Sequence, residues 1–290
     1  MKTAVILDGN SLMYRMFYAT IKLSEYAVDN NMIPVNAVKL MLETCLKIRQ
    51  SNYDYCLVAF DHGKKTFRHD ILSDYKQGRK EMPKELLSQI PLIKESLQLI
   101  GFNTLSIEGI EADDIIGSFT KIMTDQKIHV DIYSSDKDML QLVSNLSHVH
   151  LIKTGLSNIT IYTMENFSYL TSGLSPMQIP DYKGIVGDKS DNLNGIKGVG
   201  DKTGINLIIK YKTLEAIYDN LNELSTNLKL KFESNKDMAF ICKSIATIQK
   251  TVLDNKLIDD FLLGDVQIEA IKKFLEKYKI NGLNKYLIKG

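Results

Sequence analysis

The sequence contains few of the residues that mark several classes of protein. It has no tryptophan, five prolines and three cysteines, Cys45, Cys56 and Cys242. Because the cysteines lie far apart, they form neither a disulfide framework nor the closely spaced ligand pair of a zinc finger. No apolar run approaches the roughly 18 residues that a membrane-spanning helix needs, and the apolar run before Asp8 is too short for a signal peptide. We therefore expect a cytosolic protein with reduced thiols and no membrane partner.

An excess of one sign of charge is also lacking, since 36 Lys and Arg stand against 35 Asp and Glu. Proteins that bind DNA usually carry a basic excess, because Lys and Arg contact the phosphates. The balance remains compatible with DNA binding if many acids are concentrated in one cluster and the rest of the chain is basic. With 290 residues, 44% of them hydrophobic, the chain is long enough for a large globular domain with a smaller one attached.

Three short apolar runs lead to an aspartate at or shortly after their end, and helical patterns lie between them. The runs are residues 4–7 before Asp8, 56–60 before Asp61 and 130–133 before Asp136; the helical patterns cover residues 37–48, 86–100 and 115–123. Each run predicts a buried strand. Alternating strands and helices predict an α/β fold with a mainly parallel central sheet flanked by helices. Such sheets bind ligands beyond the carboxyl ends of their strands, where we expect the three aspartates to converge.

Nine acidic residues lie at these strand ends or at nearby loops and helix starts. They are Asp8, Asp61, Glu111, Asp113, Asp114, Asp136, Asp138, Asp188 and Asp191. So many carboxylates in one crevice would repel one another unless cations were bound between them. Oxygen ligands suit magnesium or manganese, and two such ions about 3.5 to 4 Å apart can activate water in phosphodiester hydrolysis. Taken singly, each acid is better explained by helix capping or a turn, so the metal hypothesis depends on their coincidence.

Residues 62–83 interrupt the alternation with a basic segment that contains aromatic residues. Tyr75, Lys76 and Arg79 lie in it and could bring an aromatic face and two cations to a nucleotide. Lys76 and Arg79, three residues apart, would share a face if the segment were helical. On the segment alone, a solvated surface loop is the favoured alternative.

A glycine-rich turn at residues 195–203 begins the mainly helical part of the chain. It is not a P-loop, because Asp201 precedes Lys202 where Walker A requires glycine directly before lysine. We interpret it as a tight turn between two helices, the second from about residue 201 to 210, with backbone N–H groups open to a DNA phosphate. An ordinary corner between helices is the alternative. The alternation of strands and helices stops near residue 184, which predicts a division into residues 1–184 and 185–290.

At this point five stretches of the sequence match a known family. They are LDGNSLMYRMFYA at residues 7–19, FDHGKKTFRHDILSDYKQGR at 60–79, IEADDIIGS at 110–118, SSDKDMLQL at 134–142 and GIVGDKSDNLNGIKGVGDKT at 184–203. The five stretches occur in the same order as in the 5′ nucleases, and the chain therefore resembles that family. The family comprises the exonuclease domains of bacterial DNA polymerase I, phage 5′ nucleases and flap endonucleases. The combination is highly specific, whereas the glycine turn alone would not be.

The resemblance implies the roles of the matching residues. Asp8, Asp61, Glu111, Asp113, Asp136 and Asp138 would hold or position two catalytic metal ions, with Asp114, Asp188 and Asp191 completing the site. Lys76 and Arg79 match cations of a helical arch, about residues 62–83, that contact the scissile phosphate, and Tyr75 matches an aromatic residue beside them. DNA contacts are expected from Arg15, Arg68, Gly195, Gly198, Gly200, Lys202 and Thr203. The glycine turn matches a helix-hairpin-helix, which grips duplex DNA and often binds potassium.

The resemblance thus implies a structure-specific 5′ nuclease, with 5′–3′ exonuclease and 5′-flap endonuclease activity on DNA with flaps, nicks or free 5′ ends. Since no polymerase domain follows, the chain resembles a stand-alone enzyme of DNA replication and repair, and we expect a monomer. Two alternatives remain. A DNA-junction-binding protein without activity would use the glycine turn alone, and a ribonuclease with a similar acidic site would act on RNA.

Overall fold

A six-stranded sheet forms the centre of the computed structural model, which describes residues 2–21, 34–63, 65–154 and 158–287. The strands are β1 (Thr3–Asp8), β2 (Tyr55–Ala59), β3 (Thr104–Leu105), β4 (His129–Ser134), β5 (Ser147–Thr154) and β6 (Asn158–Tyr162). Their spatial order is β3-β2-β1-β4-β5-β6, with β6 alone antiparallel to its neighbour. The predicted α/β fold with a mainly parallel sheet is confirmed.

Helices lie between the strands and after them. The α-helices are α1 (Gly9–Thr20), α2 (Asn36–Arg49), α3 (Phe67–Ile71), α4 (Lys84–Leu87), α5 (Ile90–Leu99), α6 (Ala112–Asp125), α7 (Phe167–Leu170), α8 (Ile179–Val186), α9 (Asp201–Tyr211), α10 (Leu214–Asp219), α11 (Thr226–Ser234), α12 (Lys236–Ala246), α13 (Ile268–Lys277) and α14 (Asn284–Leu287). Short 3₁₀ helices cover Lys137–Leu142, Pro176–Gln178, Lys189–Asp191, Leu221–Glu223 and Ile258–Phe261. Among the described residues, no helix is both long and apolar enough to cross a membrane.

Strand β1 shows why its sequence is continuously apolar. Because side chains alternate along a strand, Ala4 and Ile6 enter the core on one face, with helix α6, while Val5 and Leu7 enter the core on the other, with α1 and α2. All four side chains are fully buried. Helices on both faces thus require the apolar run that identified the strand.

Downstream of Tyr162, the described part of the chain contains helices but no further strand. Helix α8 packs against α12 and α9. The predicted division at residue 184 falls inside α8, so the change from strands to helices comes earlier, between β6 and α7. The exact division into domains stays a prediction.

The basic segment 62–83 differs from the predicted helical arch. Its described residues contain one helix, α3, which ends at Ile71, and turns follow up to Gly78. Lys76 has a backbone φ of +57°, which a right-handed helix excludes. Its N–H donates instead to the carbonyl oxygen of Asp191 at 2.9 Å. The prediction that Lys76 and Arg79 share a helical face is therefore wrong, because a tertiary hydrogen bond fixes this turn.

Candidate active site

Parallel strands bring three of the predicted acids to one edge of the sheet. Asp8 is the last residue of β1, while Asp61 and Asp136 each lie two residues beyond the end of a strand. Asp8 is 3% exposed and caps α1 by accepting from the Ser11 N–H at 2.9 Å. It also accepts from Ser134 Oγ at 2.7 Å, which links the ends of β1 and β4. Capping and clustering, which the sequence presented as alternatives, therefore occur together at Asp8.

Asp61 is held by the start of helix α6 and by α1. Its Oδ1 accepts from the Ala112 N–H at 2.8 Å, and its Oδ2 accepts from Asn10 Nδ2 at 2.9 Å. Burial raises the pKa of the Asp61 carboxyl, although the Ala112 N–H and the charge of Lys76 act in the opposite direction. The loop after β2 thus places this carboxylate beside the acids that open α6.

Asp8, Asp61, Asp113, Asp136 and Asp138 form what we call the acidic edge of the sheet. Their carboxylates favour the binding of a cation. Burial, followed by the charges of Asp136 and Asp61, raises the pKa of Asp8 to about 7. Burial and the charges of Asp136 and Asp8 raise the pKa of Asp113 well above its usual range. Burial raises the pKa of Asp138 to about 7, with Asp136 adding to the rise and Lys183 opposing it. A set of crowded carboxylate oxygens fits a hard divalent cation, which relieves this repulsion.

Glu111, at the N-terminus of α6, receives hydrogen bonds from the basic segment. It accepts from Thr66 Oγ1 at 3.0 Å, Tyr75 Oη at 3.1 Å and Lys76 Nζ at 2.9 Å. Burial disfavours its charge, but Lys76 and Arg68 outweigh burial and lower its pKa. Burial also disfavours the Lys76 ammonium, yet Glu111 and Asp191 raise the pKa of Lys76. Lys76 thus lies inside the acidic site as a cation.

Arg79 and Tyr75 belong to the same site, because both contact the carboxylate of Asp191. The guanidinium of Arg79 forms an ion pair with Asp191, and Tyr75 Oη donates to Asp191 Oδ2 at 3.2 Å. Tyr75 is only 4% exposed, and its ring packs edge-on against His69. The prediction of an aromatic face available to a nucleotide needs correction, because the Tyr75 side chain ties the basic segment to Glu111 and Asp191.

Lys183 belongs to the site, although the sequence did not identify it. Its Nζ donates to Asp188 Oδ2 at 2.7 Å and also to Asp138 Oδ1. Burial disfavours the charge of this lysine, but the two carboxylates prevail and raise its pKa. Lys183 lies in α8, one residue before a stretch that matched the family. No spacing along α8 singles it out, so only the fold shows that it links Asp138 and Asp188.

Arg68 and Asp114 form a buried pair beside the site, which corrects two predictions. Arg68 is 2% exposed and Asp114 is 0% exposed. The guanidinium donates to both carboxylate oxygens, at 2.6 and 2.8 Å, and Arg68 Nε donates to the Ile245 carbonyl oxygen at 2.8 Å. Asp114 Oδ1 also accepts from the Gln249 N–H at 2.9 Å. Arg68 is therefore too buried to contact DNA, and Asp114 holds α6 against α3 and the chain after α12 rather than facing a metal.

The glycine turn runs into α9 as its spacing predicted. Gly195 has a φ of +57°, and a Cβ there would lie 2.4 Å from the Gly187 nitrogen. Gly198 has a φ of +78°, and its carbonyl oxygen accepts from Lys231 Nζ at 2.9 Å. Gly200, by contrast, has a φ of −100°, and a Cβ there would meet nothing within 4 Å. The first two glycines are thus required by the backbone, while Gly200 leaves the N-terminus of α9 open.

Exposed residues follow Gly200 in the first turn of α9. Lys202 and Thr203 both point to solvent. A helix N-terminus with a lysine beside it attracts anions through its backbone N–H groups and its positive charge. The structure therefore leaves the predicted phosphate contact accessible.

Arg15 lines a cavity of 610 Å³ next to the acidic edge. Ser135, Asp136 and Lys153 also line this cavity. Arg15 donates to the Lys153 carbonyl oxygen. A second cavity, of 600 Å³, is lined by Asp61, Lys76, Arg79 and Glu111 among others. Open space with both acidic and basic walls thus borders the site.

Comparisons with known proteins agree over nearly the whole chain. A family model described as the N-terminal resolvase-like domain of 5′-3′ exonuclease matches residues 3–170, and one described as its C-terminal SAM fold matches residues 174–269. The chain is 44% identical to a 5′-3′ exonuclease of Mycoplasma genitalium, over 98% of each chain. It is 39% identical to DNA polymerase I of Bacillus subtilis, over 85% of this chain and 28% of that protein.

Solved structures share the fold at lower identity. T5 5′-exonuclease with bound zinc ions matches with a TM-score of 0.74 and 20% identity, over 96% of this chain and 100% of that chain. The catalytic core of Rad2 in complex with a DNA substrate matches with a TM-score of 0.66 and 13% identity, over 98% and 89% of the two chains.

Proposed function

The chain belongs to the 5′-3′ exonuclease family, and on that premise we propose that it is a structure-specific 5′ nuclease that hydrolyses DNA near 5′ flaps, nicks and free 5′ ends. The observation that carries the proposal is the convergence of acids from three parallel strands with Lys76, Arg79 and Lys183 at one edge of the sheet. Carboxylates suited to a metal and cations suited to a phosphate are the two requirements of phosphodiester hydrolysis.

Magnesium or manganese fits the carboxylate oxygens at this edge, and we propose that two ions bind there. Asp8, Asp61, Asp113, Asp136 and Asp138 would hold them, directly or through water. Bound ions of this type activate a water molecule and stabilise the leaving oxygen. Glu111 accepts hydrogen bonds from three side chains of the basic segment, Thr66, Tyr75 and Lys76. We assign it to positioning the basic segment.

Fixed contacts between side chains hold two cations in position to bind a phosphate. Glu111 and Asp191 hold the cations of Lys76 and Arg79 beside the acidic edge, where charge develops on the scissile phosphate. Tyr75 restrains the turn that carries both cations, because its single O–H proton is shared between the same two carboxylates. Orientation by such fixed contacts reduces the reorganisation that the reaction requires.

Duplex DNA is proposed to bind at the N-terminus of α9, where Gly200, Lys202 and Thr203 are exposed. Contacts of backbone N–H groups and lysine with phosphates carry no sequence information, so recognition would depend on DNA structure. Potassium at the glycine turn, as in related helix-hairpin-helix motifs, belongs to this proposal.

End-labelled substrates test the function directly. The intact protein is incubated with 5′-flap, nicked and single-stranded DNA, once with magnesium and once with chelator, and with an RNA flap of the same sequence. We expect cleavage of the DNA flap near the junction, dependent on magnesium. Tight flap binding without cleavage at any metal concentration would instead identify a junction-binding protein. Preferential cleavage of the RNA flap would identify a ribonuclease.

A further inference from the structure

Three of the five histidines in the chain surround one aspartate on strands β4 and β5. The parallel register pairs Asp131 with His148, and Tyr133 with His150. Since side chains alternate along a strand, residues two apart share a face, and His129 therefore lies on the same face as Asp131. The sheet thus builds the cluster from positions that are neither adjacent nor evenly spaced in the sequence.

The cluster has the dimensions of a metal site. One ligand atom each from His129, Asp131 and His148 lies within 4.8 Å of the other two, and all three residues are half-buried. The rings of His129 and His148 have centroids 4.4 Å apart. A tetrahedral ion with ligands about 2 Å away needs ligand atoms roughly 3.3 Å apart, so side-chain rotation alone brings these atoms to the required spacing.

Contacts of Asp131 prepare its carboxylate for a ligand role. Tyr53 Oη donates to Asp131 Oδ2 at 2.6 Å, which fixes the carboxylate plane. Oδ1 lies 3.1 Å from His129 Nε2 and 2.9 Å from His150 Nε2. Metal-binding carboxylates and imidazoles depend on outer partners of this kind for their orientation. His150, stacked on Tyr133, is such a partner, because its Nε2 contacts the same carboxylate.

We propose that His129, Asp131 and His148 bind a divalent transition-metal ion such as Zn²⁺, at a site distinct from the carboxylates of the nuclease. Two imidazole nitrogens and one carboxylate oxygen suit Zn²⁺, Co²⁺ or Cu²⁺, whereas Mg²⁺ prefers oxygen ligands alone. His129 begins β4, and the acidic edge lies beyond Ser134 at its other end. Five residues of strand separate them by roughly 17 Å, so the two sites share no ligand. A bound ion would hold β4 to β5.

Metal titration of the intact protein tests the site. Excess Mg²⁺ is present throughout to saturate the carboxylates of the nuclease. We expect one equivalent of Zn²⁺ to bind by calorimetry, and Cu²⁺ in its place to show nitrogen couplings from two imidazoles by electron paramagnetic resonance. The double variant His129→Gln/His148→Gln should weaken Zn²⁺ binding by at least about 100-fold, because two of three ligands are removed. Tyr53→Phe should weaken it about 10-fold through the orientation of Asp131.

A matched control is His62→Gln, which removes an exposed histidine outside the cluster and should bind Zn²⁺ as the parent does. Magnesium-dependent cleavage of a 5′ flap by the double variant would show that its fold is intact. If the double variant misfolds, the Zn²⁺ titration is repeated with the single variant His148→Gln. Unchanged Zn²⁺ affinity in the folded variants would overturn the proposal. So would a Cu²⁺ spectrum without nitrogen couplings, or displacement of Zn²⁺ by Mg²⁺.

Discussion

Three cations in the described part of the chain lie among the acids of the candidate active site and pair with carboxylates. The pairs are Lys76 with Glu111, Arg79 with Asp191, and Lys183 with Asp138 and Asp188. These pairs offset part of the repulsion that the crowded acids would otherwise produce. Removing one cation therefore changes both the stability of the site and the charge that a phosphate meets, and only kinetics can separate the two effects.

Lys76 is expected to act on the chemical step. Its Nζ lies 2.9 Å from Glu111 within the acidic site, and its side chain is 21% exposed. An electrostatic group that meets charge developing in the transition state contributes about 10²- to 10³-fold in rate. We predict that Lys76→Ala slows single-turnover flap cleavage at saturating enzyme by at least about 100-fold, while flap affinity changes less than about tenfold.

Lys65→Ala is the matched control for Lys76, because Lys65 is an exposed cation of the same segment that pairs with Asp70 and does not line the cavity at the site. It should reduce flap affinity slightly and leave the single-turnover rate unchanged. If saturating enzyme restores the parent rate in Lys76→Ala, this lysine serves binding and not chemistry.

The elements of the fold were predictable where a local pattern decides them. The runs before Asp8, Asp61 and Asp136 are apolar because helices cover both faces of the sheet, so each run predicted its strand correctly. The turn at Lys76 was not predictable, since its conformation depends on a hydrogen bond to Asp191, more than a hundred residues away. The same limit applies to Lys183, whose helix shows no spacing that would reveal its two acidic partners.

The ion pair between Arg68 and Asp114 should hold α3 to α6 and contribute strongly to stability. Breaking a buried pair by removing one partner costs about 3 to 5 kcal/mol, because the other charge remains buried. We predict that Arg68→Ala lowers the free energy of unfolding by that amount, measured by urea denaturation. Lys65→Ala, which removes an exposed partner of Asp70 in the same segment, should cost less than about 1 kcal/mol. Equal losses in the two variants would contradict the buried role of Arg68.

Helix α9 provides a test of the duplex contact. Lys202, in its first turn, should contact backbone phosphate, whereas Lys210, in its last turn, pairs with Glu223 at 2.9 Å. We predict that Lys202→Ala weakens duplex binding about equally for any sequence and reduces the slope of log affinity against log salt by about 1. Lys210→Ala should leave this slope unchanged. A slope that is the same in both variants would remove α9 from the DNA surface.

For the molecule as a whole, the carboxylates that we assign to metal binding lower the stability of the folded protein when no metal is bound. The pKa of Asp8 is raised to about 7 in the fold, first by burial and then by neighbouring acids. Its ionised form is therefore disfavoured by folding, and the resulting loss of stability grows as pH rises from about 4, the unfolded pKa, through 7. A bound metal ion would reverse this loss, since a ligand at 100 times its dissociation constant stabilises the folded state by about 2.7 kcal/mol.

We predict that, in chelator at pH 7.5, Asp8→Asn has a free energy of unfolding at least about 1 kcal/mol larger than that of the parent, because each pKa unit corresponds to about 1.4 kcal/mol. The variant should therefore melt at a higher temperature. Magnesium should raise the melting temperature of the parent more than that of Asp8→Asn, because the variant lacks one metal ligand. For the same reason the variant should lose cleavage. It should bind a 5′ flap at least as well as the parent does, because the phosphate meets less repulsion. Asp125→Asn, at an exposed acid paired with Lys121, should show none of these changes. Calorimetry with and without magnesium measures the stabilities, and labelled flap DNA measures binding and cleavage. If Asp8→Asn is less stable than the parent in chelator and gains as much from magnesium, Asp8 neither contributes to the repulsion nor binds the ion, and the metal assignment fails at its central residue.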